Sequence, residues 1–194
     1  MRVSSQVSGL LFGALFGIIA TGAQAQVVMT IGNGRAHECF VQAKTGGQPR
    51  AGVAVCNQAL MHDTLNKQDR AGTYDNRGVL LDLLGRTDEA RDDFNMAIAL
   101  DPKLGDPYVN LGAMLIKQGR HEEALGQINK GLDLGMSFTH IGYYNRAVAE
   151  QILGRYKEAY YDYKKVLEIE PNFKMASERL KDFTVTRTPA PKSS

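Results

Sequence analysis

Residues 71–104, AGTYDNRGVLLDLLGRTDEARDDFNMAIALDPKL, contain a pattern that returns twice later in the chain. Four columns of small or apolar residues repeat with it, first after 34 residues and then after 35: Gly78, Gly112 and Ala147; Gly85, Gly119 and Gly154; Ala90, Ala124 and Ala159; Phe94, Ile128 and Tyr163. Self-similarity at a fixed period of this length is the signature of a protein built from stacked repeats. The one extra residue lies in the connection Gly-Met-Ser-Phe-Thr-His, residues 135–140.

Each unit is predicted to fold as two amphipathic helices. Apolar and small residues recur at helical spacing on two segments, which in the first copy are Tyr74, Gly78, Leu81 and then Ala90, Phe94, Ala97. Gly85 stands where the first helix would end in a left-handed residue. The second helix is expected to end at Asp101, because Pro102 disfavours the helical conformation of the residue before it and has no amide hydrogen to donate.

These columns resemble the tetratricopeptide repeat. The matching residues are Tyr74, Gly78, Ala90, Phe94 and Pro102 in the first copy, Tyr108, Leu111, Gly112 and Ala124 in the second, and Tyr143, Ala147, Ala159, Tyr163 and Pro171 in the third. Arg77 and Arg146 depart from the leucine column, and Met136 stands near the proline position of the second copy. The resemblance implies an all-α, right-handed superhelical solenoid of helix-turn-helix hairpins with a C-terminal capping helix.

The predicted solenoid domain spans residues 26–183. It comprises a degenerate hairpin at 35–62, repeats at 71–104, 105–138 and 140–173, and a capping helix at 173–183. A longer connection is expected after His62, because Ala59 and Ala97 are 38 residues apart. Residues 184–194, which contain two prolines and no apolar periodicity, are predicted to be a disordered tail.

Residues 1–25 are predicted to be a cleaved signal peptide. Arg2 is followed by an apolar segment over Leu10–Ala20 and by Ala23-Gln24-Ala25, a small-x-small cleavage site. The alternative is an uncleaved anchor that lies at the membrane interface. The chain is therefore expected to be exported, to the periplasm of a Gram-negative bacterium or otherwise to the outside of the cell, without stable membrane insertion after cleavage.

Cys39 and Cys56 are the only cysteines, and export would place them in an oxidising compartment. In the repeat register Cys56 takes the aromatic column and Cys39 takes the column of Arg77, so the two sulfurs should face each other. A disulfide would close a loop of 17 residues at the end of the array, where a repeat lacks one neighbour. A zinc site and a reactive thiol remain as alternatives.

The resemblance also implies a concave groove lined by the first helix of each hairpin. The predicted groove residues, which would bind an extended peptide, are Asn76, Val79, Asn110, Ala113, Lys117, Tyr144, Asn145 and Val148. An asparagine side chain offers a donor and an acceptor that match a peptide group. The asparagines could instead bond the backbone of a neighbouring repeat. The family's cationic clamp for acidic chaperone tails is not expected, because Asp75, Val79 and Val109 stand at its positions.

Catalytic and cofactor chemistry is not predicted. The four histidines lack metal-ligand spacing, and the glycines recur as packing and cap positions rather than as a phosphate loop. With 23 basic and 21 acidic residues interspersed, the chain has no electrostatic footprint for nucleic acid. An Arg to Asp contact is expected in the first and third hairpins, Arg77 with Asp93 and Arg146 with Asp162.

The sequence thus predicts an exported, non-enzymatic scaffold without metal or cofactor that binds a protein or extended peptide in its concave groove. The alternative is a structural subunit of a cell-envelope assembly that uses its convex or edge surface. An enzyme is the third and least favoured class, since no motif in the sequence indicates a pocket with converging polar groups.

Overall fold

The computed structural model describes residues 2–5 and 34–186 of the chain. This part is an all-α solenoid with one small sheet. Its helices are α1 (Arg35–Thr45), α2 (Pro49–His62), α3 (Lys67–Leu83), α4 (Thr87–Leu100), α5 (Asp106–Lys117), α6 (His121–Leu134), α7 (Thr139–Ile152), α8 (Tyr156–Ile169) and α9 (Lys174–Leu180). The strands are β1 (Arg2–Ser5) and β2 (Phe183–Thr186), which pair antiparallel.

The helices pack in sequence as four antiparallel hairpins, α1 with α2, α3 with α4, α5 with α6, and α7 with α8. Each of the last three hairpins turns through a glycine in the left-handed region, Gly85, Gly119 and Gly154. An L side chain is strained in that conformation, which explains why this column holds glycine in every copy.

The two helices of a hairpin approach closely at the small-residue column. A Cβ added to Gly78 would lie 2.6 Å from the Phe94 ring, and one added to Gly112 would lie 2.4 Å from Ile128. Both distances are shorter than van der Waals contact, so the large residue of the second helix fills the space that glycine leaves.

The two cysteines of the first hairpin are joined, with their Cα atoms 4.9 Å apart. The predicted disulfide is therefore present, and both cysteines lie in the core with Phe40, Phe94 and their neighbours. The crosslink holds α1 against α2 at the terminal end of the array.

Both predicted Arg to Asp contacts are also present. The Arg77 guanidinium donates two hydrogen bonds to Asp93, each of 2.7 Å, and Arg146 donates bonds of 2.6 and 2.9 Å to Asp162. Each arginine also bonds an asparagine on the second helix of the preceding hairpin, Asn57 or Asn129, so the arginines connect neighbouring hairpins as well as the two helices of one.

The connection after His62 is shorter than predicted, because α3 already begins at Lys67. Asn66 caps this helix: its side-chain oxygen accepts from the Asp69 N–H at 2.8 Å, and its amide donates to the Asp69 carboxylate at 2.7 Å. Only residues 63–66 remain as a loop.

The two ends of the chain differ from the prediction. Arg2–Ser5, assigned to the signal peptide, forms β1, and residues 184–186, assigned to a disordered tail, belong to β2. The capping helix α9 ends at Leu180, and Phe183 enters the sheet, where its ring packs against Tyr160 and Tyr163. Met1 and residues 6–25, the rest of the predicted leader, and the tail from 187 onward lie outside the described residues.

Candidate binding surfaces

Seven of the eight predicted groove residues are buried. Asn76, Val79, Asn110, Ala113, Tyr144, Asn145 and Val148 each expose 3% of their surface or less, whereas Lys117 is exposed. The expectation that the asparagine row lines an open groove therefore fails, because no peptide could reach these amides in this conformation.

Asn110 contributes to an internal polar contact between neighbouring hairpins. Its amide donates to a carboxylate oxygen of Asp75 at 2.9 Å, and the second Asp75 oxygen has no hydrogen-bond partner among the described residues. Burial and the nearby Asp106 raise the pKa of Asp75 well above its ordinary value. This bond of Asn110 is thus made to a side chain of the neighbouring hairpin.

Asp106 fixes the α6–α7 loop, residues 135–138. Its two carboxylate oxygens accept from the backbone N–H of Ser137 at 3.1 and 3.3 Å. Burial raises the pKa of Asp106 to about 6, against the opposing effect of these hydrogen bonds. The loop is thereby held against the start of α5.

The α6–α7 loop places Phe138 against the first hairpin. Phe138 packs on the core cluster that contains Phe40 and Val79, and the Lys44 Nζ lies 5.9 Å from the centroids of both the Phe40 and Phe138 rings. The connection that carries the one extra residue of the repeat thus reaches α1, and it contributes to the burial of the predicted groove.

The first helices α3, α5 and α7 share one exposed repeat position near their C-terminal ends. Leu83, Lys117 and Ile152 occupy one position of the repeat, and Leu83 and Ile152 expose 54% and 50% of their surface. Lys117 forms an ion pair of 2.5 Å with Asp82 of the adjacent first helix. We call these three residues the rim. Helical spacing puts them on the same helix face as the asparagines, two turns further on, but it does not show where that face becomes exposed to solvent.

The second helices also carry exposed apolar residues, among them Met61, Met96, Tyr161 and Ile169. Met61 is the most exposed of these, at 64%. Single exposed apolar residues are common on soluble proteins, so a row at one repeat position is more informative than isolated side chains.

Residues 2–5 and 34–186 contain neither a metal-binding cluster nor a candidate membrane-spanning helix. No group of three or more His, Cys, Asp or Glu side chains within them is placed to hold a metal ion. None of the helices described is both long and apolar enough to cross a membrane.

Two family models match the chain, both described as tetratricopeptide repeat, over residues 71–104 and 140–173. The chain contains tetratricopeptide repeats. Tetratricopeptide repeats are scaffold-type modules for protein–protein interaction, and the matched residues form such a module. The matched ranges are the first and third predicted repeats, with the same boundaries.

A curated relative is the lipoprotein NlpI homolog of Haemophilus influenzae, which is 35% identical over 113 residues. The match covers 57% of this chain and 35% of the relative. The chain therefore spans about a third of the length of the relative. The match leaves most of the relative unaligned.

Solved structures with the same fold include PilW, titled a type IV pilus biogenesis factor, MamA, and the tetratricopeptide repeat domain of Arabidopsis OM64. Their TM-scores are 0.61, 0.56 and 0.55, their sequence identities 22%, 18% and 22%. The alignments cover 75%, 77% and 60% of this chain, and 66%, 82% and 95% of the respective structures. At these identities the likeness establishes the all-α solenoid alone.

Proposed function

We propose that this tetratricopeptide repeat chain is a scaffold of the cell envelope that binds a protein partner along the rim. The observation that carries the proposal is the exposure of Leu83 and Ile152 at one repeat position, on the helices that line the concave side in this family. Two exposed apolar residues with Lys117 between them suit a segment that presents apolar side chains and an acidic group.

Three observations support the envelope as its location. The curated relative is a lipoprotein, the sequence predicts a signal peptide, and the Cys39–Cys56 disulfide suits an oxidising compartment. In a Gram-negative bacterium this compartment is the periplasm.

The proposal is tested with rim variants rather than with asparagine variants, because Asn76, Asn110 and Asn145 are buried and their replacement would disturb the fold. The double variant Leu83→Glu with Ile152→Glu keeps the core intact. Met61→Glu with Ile169→Glu is the matched control, since it adds the same charge at exposed apolar residues of second helices.

Each oxidised protein is immobilised, and proteins retained from an envelope fraction are identified by mass spectrometry. We expect the wild type and the control to retain the same partner and the rim variant to lose it. Purified partner should then bind the rim variant at least about tenfold more weakly. Equal retention by the rim variant would contradict rim binding.

The alternative is a structural subunit that binds through its second helices. The exposure of Met61 and Met96 favours it. In the same experiment this alternative predicts the reverse pattern, with the partner lost by the Met61→Glu and Ile169→Glu variant and retained by the rim variant.

A further inference from the structure

A cavity of about 220 Å³ opens between the second helices α4 and α6, with α5 as its floor. We call it the middle cavity. Its lining residues are Arg91, Asn95, Leu111, Met114, Leu115, Gln118, Arg120, Glu123 and Gln127. None of them belongs to the rim.

The repeat register gives the middle cavity a counterpart in the preceding hairpin. That cavity, of about 290 Å³, is lined by Asn57, Arg77, Asp93 and their neighbours. Arg77 bonds both Asn57 and Asp93 there, at 2.6 and 2.7 Å. The polar groups of the first cavity are therefore already paired with one another.

The middle hairpin replaces both charged members of this arrangement. Leu111 stands in the column of Arg77, and Gln127 stands in the column of Asp93, while Asn95 is retained in the column of Asn57. The hairpin that follows Asn95 therefore offers it Leu111, whereas the hairpin that follows Asn57 offers Arg77. The first cavity thus has a charged wall whose groups are paired with one another, whereas the middle cavity has an apolar floor bordered by two side-chain amides.

The apolar floor is the part of the middle cavity that would bind a side chain. Met114 is buried, Leu111 and Leu115 are partly buried, and the volume suits one side chain of leucine or phenylalanine size. Amide groups at the edge can pair with the backbone that carries such a side chain, because they both donate and accept. A cationic side chain is not favoured, since the carboxylate that balances Arg77 is absent here.

The mouth of the cavity carries two arginines, each paired with a carboxylate. Arg91 and Arg120 border it, and Glu123 is the one acidic lining residue. Arg91 pairs with Asp88 at 2.7 Å and Arg120 with Glu123 at 2.6 Å, but all four side chains are substantially exposed. Exposed pairs of this kind contribute little stability, so either guanidinium can turn to a ligand carboxylate at small cost.

From this geometry we infer that the middle cavity is a second protein-binding site, which takes a peptide segment with one apolar side chain flanked by acidic residues. The apolar side chain enters between Leu111, Met114 and Leu115, the peptide groups meet Asn95 and Gln127, and the flanking carboxylates meet Arg91 and Arg120. The site lies on the side of the second helices and shares no residue with the rim.

The test uses a short capped peptide, Asp-Glu-Leu-Glu-Asp, titrated into the oxidised protein while the side-chain amide signals of Asn95 and Gln127 are followed by NMR. The matched probes are Lys-Lys-Leu-Lys-Lys, which inverts the charge, and Asp-Glu-Ser-Glu-Asp, which removes the apolar anchor. The Asn57 amide of the first cavity is an internal reference.

The decisive variant is Leu111→Arg with Gln127→Asp. It rebuilds the arginine and aspartate of the neighbouring hairpins, fills the middle cavity and leaves the net charge unchanged. Thermal unfolding and the helical circular dichroism signal show whether this variant is folded, and Arg91→Ser with Arg120→Ser gives a second variant that leaves the floor unaltered.

We expect saturable shifts at Asn95 and Gln127 with the acidic leucine peptide and none at Asn57. Affinity should fall at least about tenfold with either control peptide and with either variant. An acidic leucine peptide that causes no shift, equal binding of the lysine peptide, or unchanged affinity of the Leu111→Arg and Gln127→Asp variant would each overturn the inference.

Discussion

Glu150, on α7, is a half-buried acid with an unsatisfied oxygen. One of its carboxylate oxygens is buried without a hydrogen-bond partner among the described residues. Burial, followed by repulsion from Asp162, raises the pKa of Glu150 to about 7, and the nearby Arg146 opposes the rise. The group is therefore a source of pH-dependent stability.

Replacing Glu150 by glutamine is expected to raise the melting temperature at pH 8 and to leave it unchanged at pH 5. The raised pKa means that protonation stabilises the folded state; this stabilisation is complete below the ordinary value of 4.5 and is lost as the pH rises through about 7. With solvent screening at a half-buried site, the gain at pH 8 is about 1 kcal/mol, or about 2–4 °C. Glu168→Gln, at an exposed position, is the control. Equal shifts at both pH values would contradict the assignment.

At the scale of the elements, α1 and α2 form the hairpin that most needs its crosslink. Within residues 34–186 this hairpin has a neighbouring hairpin on one side only, and its column residues are cysteines where later hairpins have larger residues. Without the disulfide the core at this end would lose its covalent link and retain few large side chains.

The Cys39→Ala and Cys56→Ala double variant is expected to be less stable than the oxidised protein by about 3 kcal/mol in the chain-entropy account of a loop of this length. Amide hydrogen exchange should accelerate in α1 and α2 more than in α5 to α8. Oxidised wild type treated with reductant is the parallel measurement. A uniform loss of protection over all helices would show that the hairpin does not open by itself.

Sequence reasoning located the helices well and located the accessible surface poorly, for different physical reasons. Glycine and proline columns mark where each helix must end, and they are visible in the chain itself. Burial at Asn76 or Val79 depends on how far the array curls and on what the α6–α7 loop covers. The extra residue of that loop signalled that it differs, but not that Phe138 would reach α1. The column of Asn57, Asn95 and Asn129 could have indicated the third partner of each arginine.

At the scale of the whole molecule, Phe138 makes the array more than a chain of nearest neighbours. Repeat proteins unfold stepwise when each unit contacts only the next one. Here the loop before the last hairpin packs on the first. The contact links units that are far apart in sequence, which favours cooperative unfolding.

Phe138→Ala is expected to lower stability by about 2 kcal/mol, since a large partly buried side chain is lost. It should also separate the unfolding of the first hairpin from that of α5 to α8. Urea unfolding followed by circular dichroism, with hydrogen exchange resolved by segment, measures both effects. Phe183→Ala, which removes a ring at the other end of the array, is the control. A single transition with unchanged slope in the Phe138→Ala variant would contradict the role of this contact in cooperativity.

The pairing of β1 with β2 depends on whether the predicted leader is still attached, because β1 lies within it. If cleavage after Ala25 occurs as the sequence predicts, it removes β1 and leaves the backbone groups of Phe183–Thr186 without their partner strand. The newly synthesised and the processed protein would then differ at a surface some 160 residues from the cleaved bond. The C-terminal edge of the solenoid would act as a marker of maturation, closed before processing and open to another strand after it.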